Sequence, residues 1–277
     1  SRTTAETRIT VRVNLDGILK CVVYGFPCAL HVDPIEKKPL FHFLPGTRIF
    51  SLATVGCNLH CKNCQNWEIS QANPEDSEAY FAPPEKIVEA TLRYRCPSIA
   101  YTYTDPVVYY EYAYDIACLA RERNIRNVLV TAGYINPAPW KRLLKYVDAA
   151  NIDLKGITEK FYREVCCATL KPVLDALVMA REEGIVLEIT NLLIPGMNDS
   201  PKDIRELVTW VRKNLGPEVP LHFSAFSPRY QMSHLPPTSQ KTVEDARKIG
   251  LDEGMKHVYG GNVLVREGET TYCPKCS

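Results

Sequence analysis

Cys57-Asn58-Leu59-His60-Cys61-Lys62-Asn63-Cys64 sets three thiols at spacings of four and three within eight residues. It follows an apolar run, Ile49 to Val55, and Gly56. That run reads as a buried strand, so the cysteines leave its C-terminal end on a loop. Three thiols this close together hold a metal, pair as a disulfide with one left over, or are buried as small apolar residues. Nothing marks the chain as secreted, which argues against the disulfide. A structural zinc wants a fourth ligand, and His60, between two of the thiols, is badly placed to join the same ion. An iron–sulfur cube, held by cysteine thiolates, suits the set better. Three cysteines would leave one of its irons open to a substrate or cofactor.

The 277 residues are enough for one large domain, or one with small appendages. With 33 basic and 32 acidic residues the net charge is +1, so no global field invites nucleic acid. No apolar run is long enough to span a membrane, and no signal peptide is read. Eleven cysteines then point to metal chemistry in a reducing, cytoplasmic setting. Ser1 in place of an initiator methionine, and a stop just after Cys273-Pro274-Lys275-Cys276, suggest a trimmed chain.

Ahead of the cysteines, Ile9-Val11-Val13 and Leu19-Cys21-Val23 alternate with polar residues around Asn14-Leu15-Asp16-Gly17, which predicts a β-hairpin. Asp33 to Gly46 reads as a proline-punctuated connection, with His31 and His42 as ordinary polar or packing residues. From Ile49 onward strands alternate with amphipathic helices. The strands read are 49–55, 98–102, 127–131, 149–154, 186–194, 221–226 and a short one at 257–259. The helices read are 84–95, 107–123, 137–146, 159–183, 201–214 and 238–253. Several helices open on Pro or on Ser and Asp, the usual N-terminal signals. This alternation predicts an α/β fold with a parallel sheet. Six units are too few for a closed barrel, so a partial (β/α)6 TIM-like barrel is expected. An open doubly wound sheet is the rival, but no G-x-G-x-x-G follows the first strand. The divisions expected are 1–46 (hairpin and connection), 47–260 (barrel) and 261–277 (an extension with Cys273-x-x-Cys276).

In either architecture ligands sit at the C-terminal strand ends. Those ends are rich in polar and special residues: Tyr103-Thr104-Asp105-Pro106, Thr131-Ala132-Gly133-Tyr134, Asp153-Leu154-Lys155-Gly156, Pro195-Gly196-Met197-Asn198-Asp199 and Ser227-Pro228-Arg229. The plainer reading of Asp105-Pro106 is a helix start. Cys166-Cys167, inside the expected 159–183 helix, reads as packing, and Cys96 and Cys118 as core. Cys273-x-x-Cys276 is half of a zinc-knuckle spacing, with Cys21 and Cys28 as candidates for the other half.

The C-x3-C-x2-C loop after the first barrel strand resembles that of the radical S-adenosylmethionine (SAM) enzymes. In that family the open iron of a [4Fe-4S] cluster chelates the amino and carboxylate groups of SAM. An electron from the reduced cluster then splits the sulfonium and yields a 5′-deoxyadenosyl radical. The resemblance implies Cys57, Cys61 and Cys64 as cluster ligands. Tyr103-Thr104-Asp105-Pro106 stands where glycyl-radical-activating enzymes carry a Gly-Gly-Glu-Pro-like segment that holds the SAM ammonium. Here Tyr103 and Thr104 replace the glycines and Asp105 the glutamate. Asp153-Leu154-Lys155 resembles their Asp-x-Lys segment, with both charged residues on one side of the strand, and implies Lys155 for the SAM carboxylate. Thr131-Ala132-Gly133-Tyr134 resembles their Thr-Asn-Gly-aromatic turn, where Gly133 permits close backbone approach. Thr190 and Asn191 match a strand contacting ribose and adenine, and His222 matches a histidine near the ribose. Asn63 departs from the aromatic that many relatives carry before the third cysteine.

Thr54-Val55-Gly56-Cys57, Gln65-Asn66-Trp67-Glu68-Ile69-Ser70, Tyr101-Thr102-Tyr103-Thr104, Asn191-Leu192-Leu193-Ile194-Pro195-Gly196-Met197-Asn198-Asp199, Gly261-Asn262-Val263 and Tyr272-Cys273-Pro274 together resemble the AmmeMemoRadiSam group. That resemblance implies Memo-type and AMMECR-type partner proteins, an electron donor such as ferredoxin or flavodoxin, and a protein or peptide glycine as substrate. The rival from another class is an iron–sulfur electron-transfer or partner-docking protein that never cleaves SAM. A third reading is an enzyme that cuts a different S–C bond of SAM.

Overall fold

The computed structural model describes residues 24–74, 77, 79–265, 267–273 and 275, together with the backbone of four short strands ahead of them. These are β1 (Thr3–Thr4), β2 (Thr7–Arg8), β3 (Val11–Val13) and β4 (Leu19–Cys21). β3 and β4 pair antiparallel, Val11 opposite Cys21 and Val13 opposite Leu19, in the register of the expected hairpin. Ile9, Val23 and the turn residues Asn14 to Gly17 lie outside the described residues, as does Cys276.

The remainder alternates as predicted. In order come β5 (Ala29–Pro34), β6 (Arg48–Ala53), α1 (Trp67–Ser70), α2 (Pro84–Arg93), β7 (Ser98–Tyr101), α3 (Tyr110–Glu122), β8 (Arg126–Thr131), α4 (Pro137–Leu144) and β9 (Ala149–Asp153). Then follow α5 (Glu159–Phe161), α6 (Lys171–Glu182), β10 (Val186–Leu193), α7 (Pro201–Asn214), β11 (Leu221–Ala225), α8 (Gln240–Asp252) and β12 (Val258–Gly261). Eight strands form one sheet in the order β12-β11-β10-β9-β8-β7-β6-β5, so the sheet is open, with β12 and β5 at its ends. β6 to β8 are parallel neighbours, as are β10 to β12. This is the partial barrel that the strand–helix alternation implies.

Two readings need correction. Ala29–Pro34 is a strand, paired antiparallel with Arg48–Ala53 from Ala29 opposite Ala53 to Pro34 opposite Arg48. Pro34 tells against a strand in the sequence, yet at the end of an edge strand its missing N–H costs no ladder bond. Residues 159–183 are not one helix. α5 passes into a π turn, Tyr162–Cys166, Cys167 turns left-handed at φ +55°, and a new helix opens at Lys171 with Pro172 in its first turn. The proline favours a fresh start there over continuation. Gly156 admits the first piece: a Cβ on it would lie 2.6 Å from the Phe161 ring.

The chain divides into two compact units, Ser1–Asn58 with Asn66–Ala150, and Leu59–Gln65 with Asn151–Ser277. In the first, Ile35, Leu40, Ile49, Ala100, Val128 and Ala149 form a buried core against which Phe43 and Leu44 pack. α2 buries Ile87, Val88 and Thr91, the three-to-four spacing of one helical face. α3 buries Tyr110, Ala113, Ala117 and Ala120. In the second unit every residue of β11 is buried, the polar His222 and Ser224 included. α7 buries Ile204, Leu207, Val208 and Val211, and its cap Ser200 accepts from Asp203 N at 3.1 Å. Ser239 caps α8 by accepting from Thr242 N, also at 3.1 Å. Among the described residues no helix is long and apolar enough to cross a membrane.

Candidate functional site

The cysteine loop begins where β6 ends. Gly56 takes φ +95°, a region that a side chain resists, and its N–H donates to Ile69 O at 2.9 Å. Cys57 follows, half-buried, in the first unit. In the second unit the loop is stitched to the π turn by two backbone bonds, His60 N to Cys166 O at 3.3 Å and Lys62 N to Val165 O at 2.9 Å. Gln231 N donates to Lys62 O at 3.1 Å. Cys61 is buried and Cys64 half-buried; both are thiols, as is Cys57.

The neighbouring Cys166, then burial, push Cys61 well above the usual thiol range, while the Lys155 ammonium pulls the other way. Lys155 Nζ donates to Asp153 Oδ2 at 2.7 Å, as the alternation of the strand end predicts. Burial alone would drive Lys155 down, but Asp153, Cys61 and Cys166 outweigh it and hold the ammonium well above its ordinary range. Cys166, read from sequence as packing, is therefore part of the same group as Cys61. The signal was missed because its neighbour is set by the π turn, which no residue spacing announces.

Other predicted residues of this unit are committed to the protein's own groups. Thr190 Oγ1 donates to Asn151 Oδ1 at 2.8 Å, and Asn191 Nδ2 to Leu154 O at 2.7 Å. Asn198 braces the same strand end: its amide donates to Lys155 O at 2.8 Å and Leu192 O at 2.9 Å, and its oxygen accepts from Ile194 N. His222 Nε2 lies 2.7 Å from Glu188 Oε2, both buried, and its ring packs on Tyr259. Glu188 was not read as a site residue; a lone acid inside the apolar run Val186–Leu193 was its only signal.

In the first unit Asp105 is both helix start and strap. Oδ1 accepts from Val107 N at 3.2 Å and from Thr131 Oγ1 at 2.9 Å, and Oδ2 accepts from Ala132 N at 2.8 Å. Thr131 Oγ1 in turn accepts from Gly133 N, and Gly133 is left-handed at φ +65°. Thr104 Oγ1 donates to Thr54 O at 2.8 Å. Tyr103, a non-glycine at φ +64°, is held at both ends: its carbonyl accepts from Asn66 Nδ2 at 2.7 Å and its phenol donates to Asp33. Asp33 also accepts from Lys37 at 2.9 Å, Lys38 at 2.8 Å and Ser51 Oγ at 2.9 Å. Lys38 is 2% exposed, with its ammonium 4.3 Å above the Tyr103 ring. Burial would raise the Asp33 carboxyl, yet the bonds from Lys38, Tyr103 and Lys37 hold it far below the usual carboxylate range. Nothing in the sequence marks this group, because its residues come from a connection and two separate strands.

Among the described residues no three His, Cys, Asp or Glu side chains converge as ligands of one metal ion. An iron–sulfur cube is different: it takes one thiolate at each iron corner. Three thiols on one loop, with the Lys155 ammonium beside Cys61 to balance anionic sulfur, fit that group. Asn58 Oδ1 and Asn63 Oδ1, buried on the same loop, have no hydrogen-bond partner within the protein.

The sequence model of the Radical SAM superfamily matches residues 51–210, more than half the chain. An uncharacterized protein of Methanocaldococcus jannaschii is 51% identical over 265 residues, covering 96% of this chain and 79% of that protein. The pyruvate formate-lyase-activating enzyme of Clostridium pasteurianum is 23% identical over 164 residues, 57% of this chain and 66% of the enzyme. Among solved structures, Streptococcus suis SuiB bound to precursor peptide SuiA shares the fold with a TM-score of 0.61 at 15% identity, over 78% of this chain and 48% of SuiB. A family match that runs from β6 into α7, and so takes in the cysteine loop, identifies this chain as an enzyme of the Radical SAM superfamily, with a [4Fe-4S] cluster and SAM as its cofactors.

Proposed function

We propose that Cys57, Cys61 and Cys64 ligate three irons of the cluster and leave the fourth for SAM, and that the enzyme takes a hydrogen atom from a protein or peptide glycine. Bound there, the reduced cluster supplies an electron that splits SAM to methionine and a 5′-deoxyadenosyl radical. The observation that carries the reading is the cysteine loop itself, stitched to the π turn by two backbone bonds with the Lys155 ammonium acting on Cys61. In this reading Lys155, steadied by Asp153, meets the SAM carboxylate. The carbonyls and hydroxyl of the Tyr103–Thr104 segment face the SAM ammonium. Asp105, already accepting three hydrogen bonds, serves by holding Thr131 and the backbone before Gly133 in place. Thr190, Asn191 and His222 line the nucleoside. Residues 47–260 form the catalytic barrel, with 1–46 and 261–277 as additions to it.

Support for a peptide substrate comes from two named relatives: one is a pyruvate formate-lyase-activating enzyme, and the other binds a precursor peptide. Within the superfamily we place the chain in the AmmeMemoRadiSam group, acting in the cytoplasm with a ferredoxin or flavodoxin as donor and Memo-type and AMMECR-type proteins as partners.

The test is electron paramagnetic resonance on anaerobically reconstituted, dithionite-reduced protein, with and without SAM, beside the triple variant Cys57→Ala, Cys61→Ala, Cys64→Ala. A cube signal that SAM changes, 5′-deoxyadenosine as product and no signal in the variant are expected. A signal indifferent to SAM points instead to electron transfer. For the substrate, peptides carrying α-deuterated glycine should pass deuterium into 5′-deoxyadenosine. Unlabelled product throughout would remove glycine from the proposal.

A further inference from the structure

β7 runs into a strained turn. Thr104 N donates back to Thr102 O at 2.8 Å across Tyr103, whose φ is +64°. A three-residue turn closed through a residue at positive φ is rare, and for a bulky side chain that conformation is an outlier. Glycine adopts it freely. Backbone strain of this kind persists only where the surroundings over-determine it, and it points to a functional position.

Here the surroundings clamp the tyrosine side chain. Asp33 Oδ2 accepts from the Tyr103 phenol, from Lys38 Nζ at 2.8 Å and from Ser51 Oγ at 2.9 Å. Lys37 Nζ holds the other oxygen at 2.9 Å. Asp33, Lys38 and Ser51 are all buried. The Lys38 ammonium lies 4.3 Å above the ring, and His31 meets the ring edge-on at 5.6 Å. The backbone is pinned separately, by Asn66 Nδ2 to Tyr103 O at 2.7 Å and Thr104 Oγ1 to Thr54 O at 2.8 Å. All these residues belong to the first unit. Desolvation offsets most of what a buried ion pair gains, so the Asp33–Lys38 pair serves placement better than stability.

We infer that Asp33, Lys38 and Ser51 are positioning residues that act through the Tyr103 side chain, holding this turn so that its carbonyls point at the SAM ammonium. The inference rests on the Tyr103–Thr104 segment meeting that ammonium, as proposed above. The clamped tyrosine takes the backbone course that is open to glycine without help. SAM binds the fraction of molecules with the turn formed, and its apparent affinity scales with that fraction.

The test is equilibrium dialysis of SAM against anaerobically reconstituted Tyr103→Ala and Tyr103→Gly, and against Asp33→Asn in the wild-type and Tyr103→Gly backgrounds, at equal cluster content. Tyr103→Ala and Tyr103→Gly both delete the clamped ring, but only glycine accepts the turn unaided. Tyr103→Ala should bind SAM about 5–30-fold more weakly than Tyr103→Gly, the factor that the left-handed penalty sets. Asp33→Asn should weaken binding more with Tyr103 present than with glycine there. Equal affinities of the alanine and glycine variants overturn the inference, since a ring that only packs is lost alike in both. Should Tyr103→Ala not fold, the two Asp33→Asn backgrounds decide, and an equal effect in both overturns it. The crystal structure of the wild-type SAM complex separates the two failures. An ammonium away from the Tyr103–Thr104 carbonyls overturns the reading of the segment, whereas an ammonium on them with equal affinities overturns the clamp alone.

Discussion

Lys155 is the residue on which the second unit's charges balance: burial opposes its charge, and one carboxylate with two sulfurs restores it. Lys155→Met should lower SAM cleavage by about 10–100-fold, the usual cost of losing a group next to a metal centre, with iron content measured to separate binding from turnover. Asp33 plays the corresponding part in the first unit. Asp33→Asn should cost about 1.5–3 kcal/mol in urea unfolding at neutral pH, since it weakens charge-assisted bonds to Lys37 and Lys38. The folded-state carboxyl is held below its unfolded value, so the stabilisation is complete above the unfolded pKa of about 3.9 and drains away as the pH falls below it. The gap between wild type and Asp33→Asn should therefore narrow on acidification. A gap that stays constant from neutral pH to about pH 2 would show that Asp33 is not paired as described. Cys57, Cys61 and Cys64 could be singled out in sequence because their spacing lies along one loop, and their ligation of the cluster is what the triple variant tests. Asp33 and Glu188 could not be, because Ser51 and Tyr103 reach Asp33, and His222 reaches Glu188, from distant segments.

Among the elements, the π turn is one that sequence periodicity missed, as it missed β5, and two backbone bonds tie it to the cysteine loop. Its cost is concentrated at Cys167, which has a side chain in the left-handed region. Cys167→Gly removes a penalty of about 1–2 kcal/mol at the expense of about 0.5–1 kcal/mol of glycine's extra entropy, so a net gain near 0.5–1 kcal/mol is expected. A urea midpoint unchanged or lowered would argue against that conformation, while cluster content should stay at the wild-type level. α2 and α7 needed no such correction: their starts were marked by Pro83-Pro84 and Asp199-Ser200-Pro201, and Ser200 caps α7. α8 starts at Gln240 behind the cap Ser239, two residues after the Thr238 start read from Pro237-Thr238. Local chemistry sufficed there because a capping bond closes within three residues.

At the scale of the molecule, SAM should bind only where the cluster is held. With SAM at about 100 times its Kd, binding adds about 2.7 kcal/mol, enough to raise the thermal midpoint by several degrees. The triple cysteine variant should show no shift. An equal shift in both proteins would mean that the nucleoside and the protein's polar strand ends dominate binding, and that the open iron is not the anchor.

By itself the sequence determined the class of fold and singled out the cysteine loop. Strand–helix alternation needs only the hydrophobic period, and three cysteines in eight residues stay together however the chain folds. Tertiary structure decided how the strand ends are used. It made Asp105 a strap between strand ends instead of a free carboxylate and added β5 to the edge of the sheet. It also broke residues 159–183 into α5, the π turn and α6, so that the Val165 and Cys166 carbonyls accept from the cysteine loop. These are contacts between residues far apart in the chain, and only the assembled sheet and packed turns bring their atoms together.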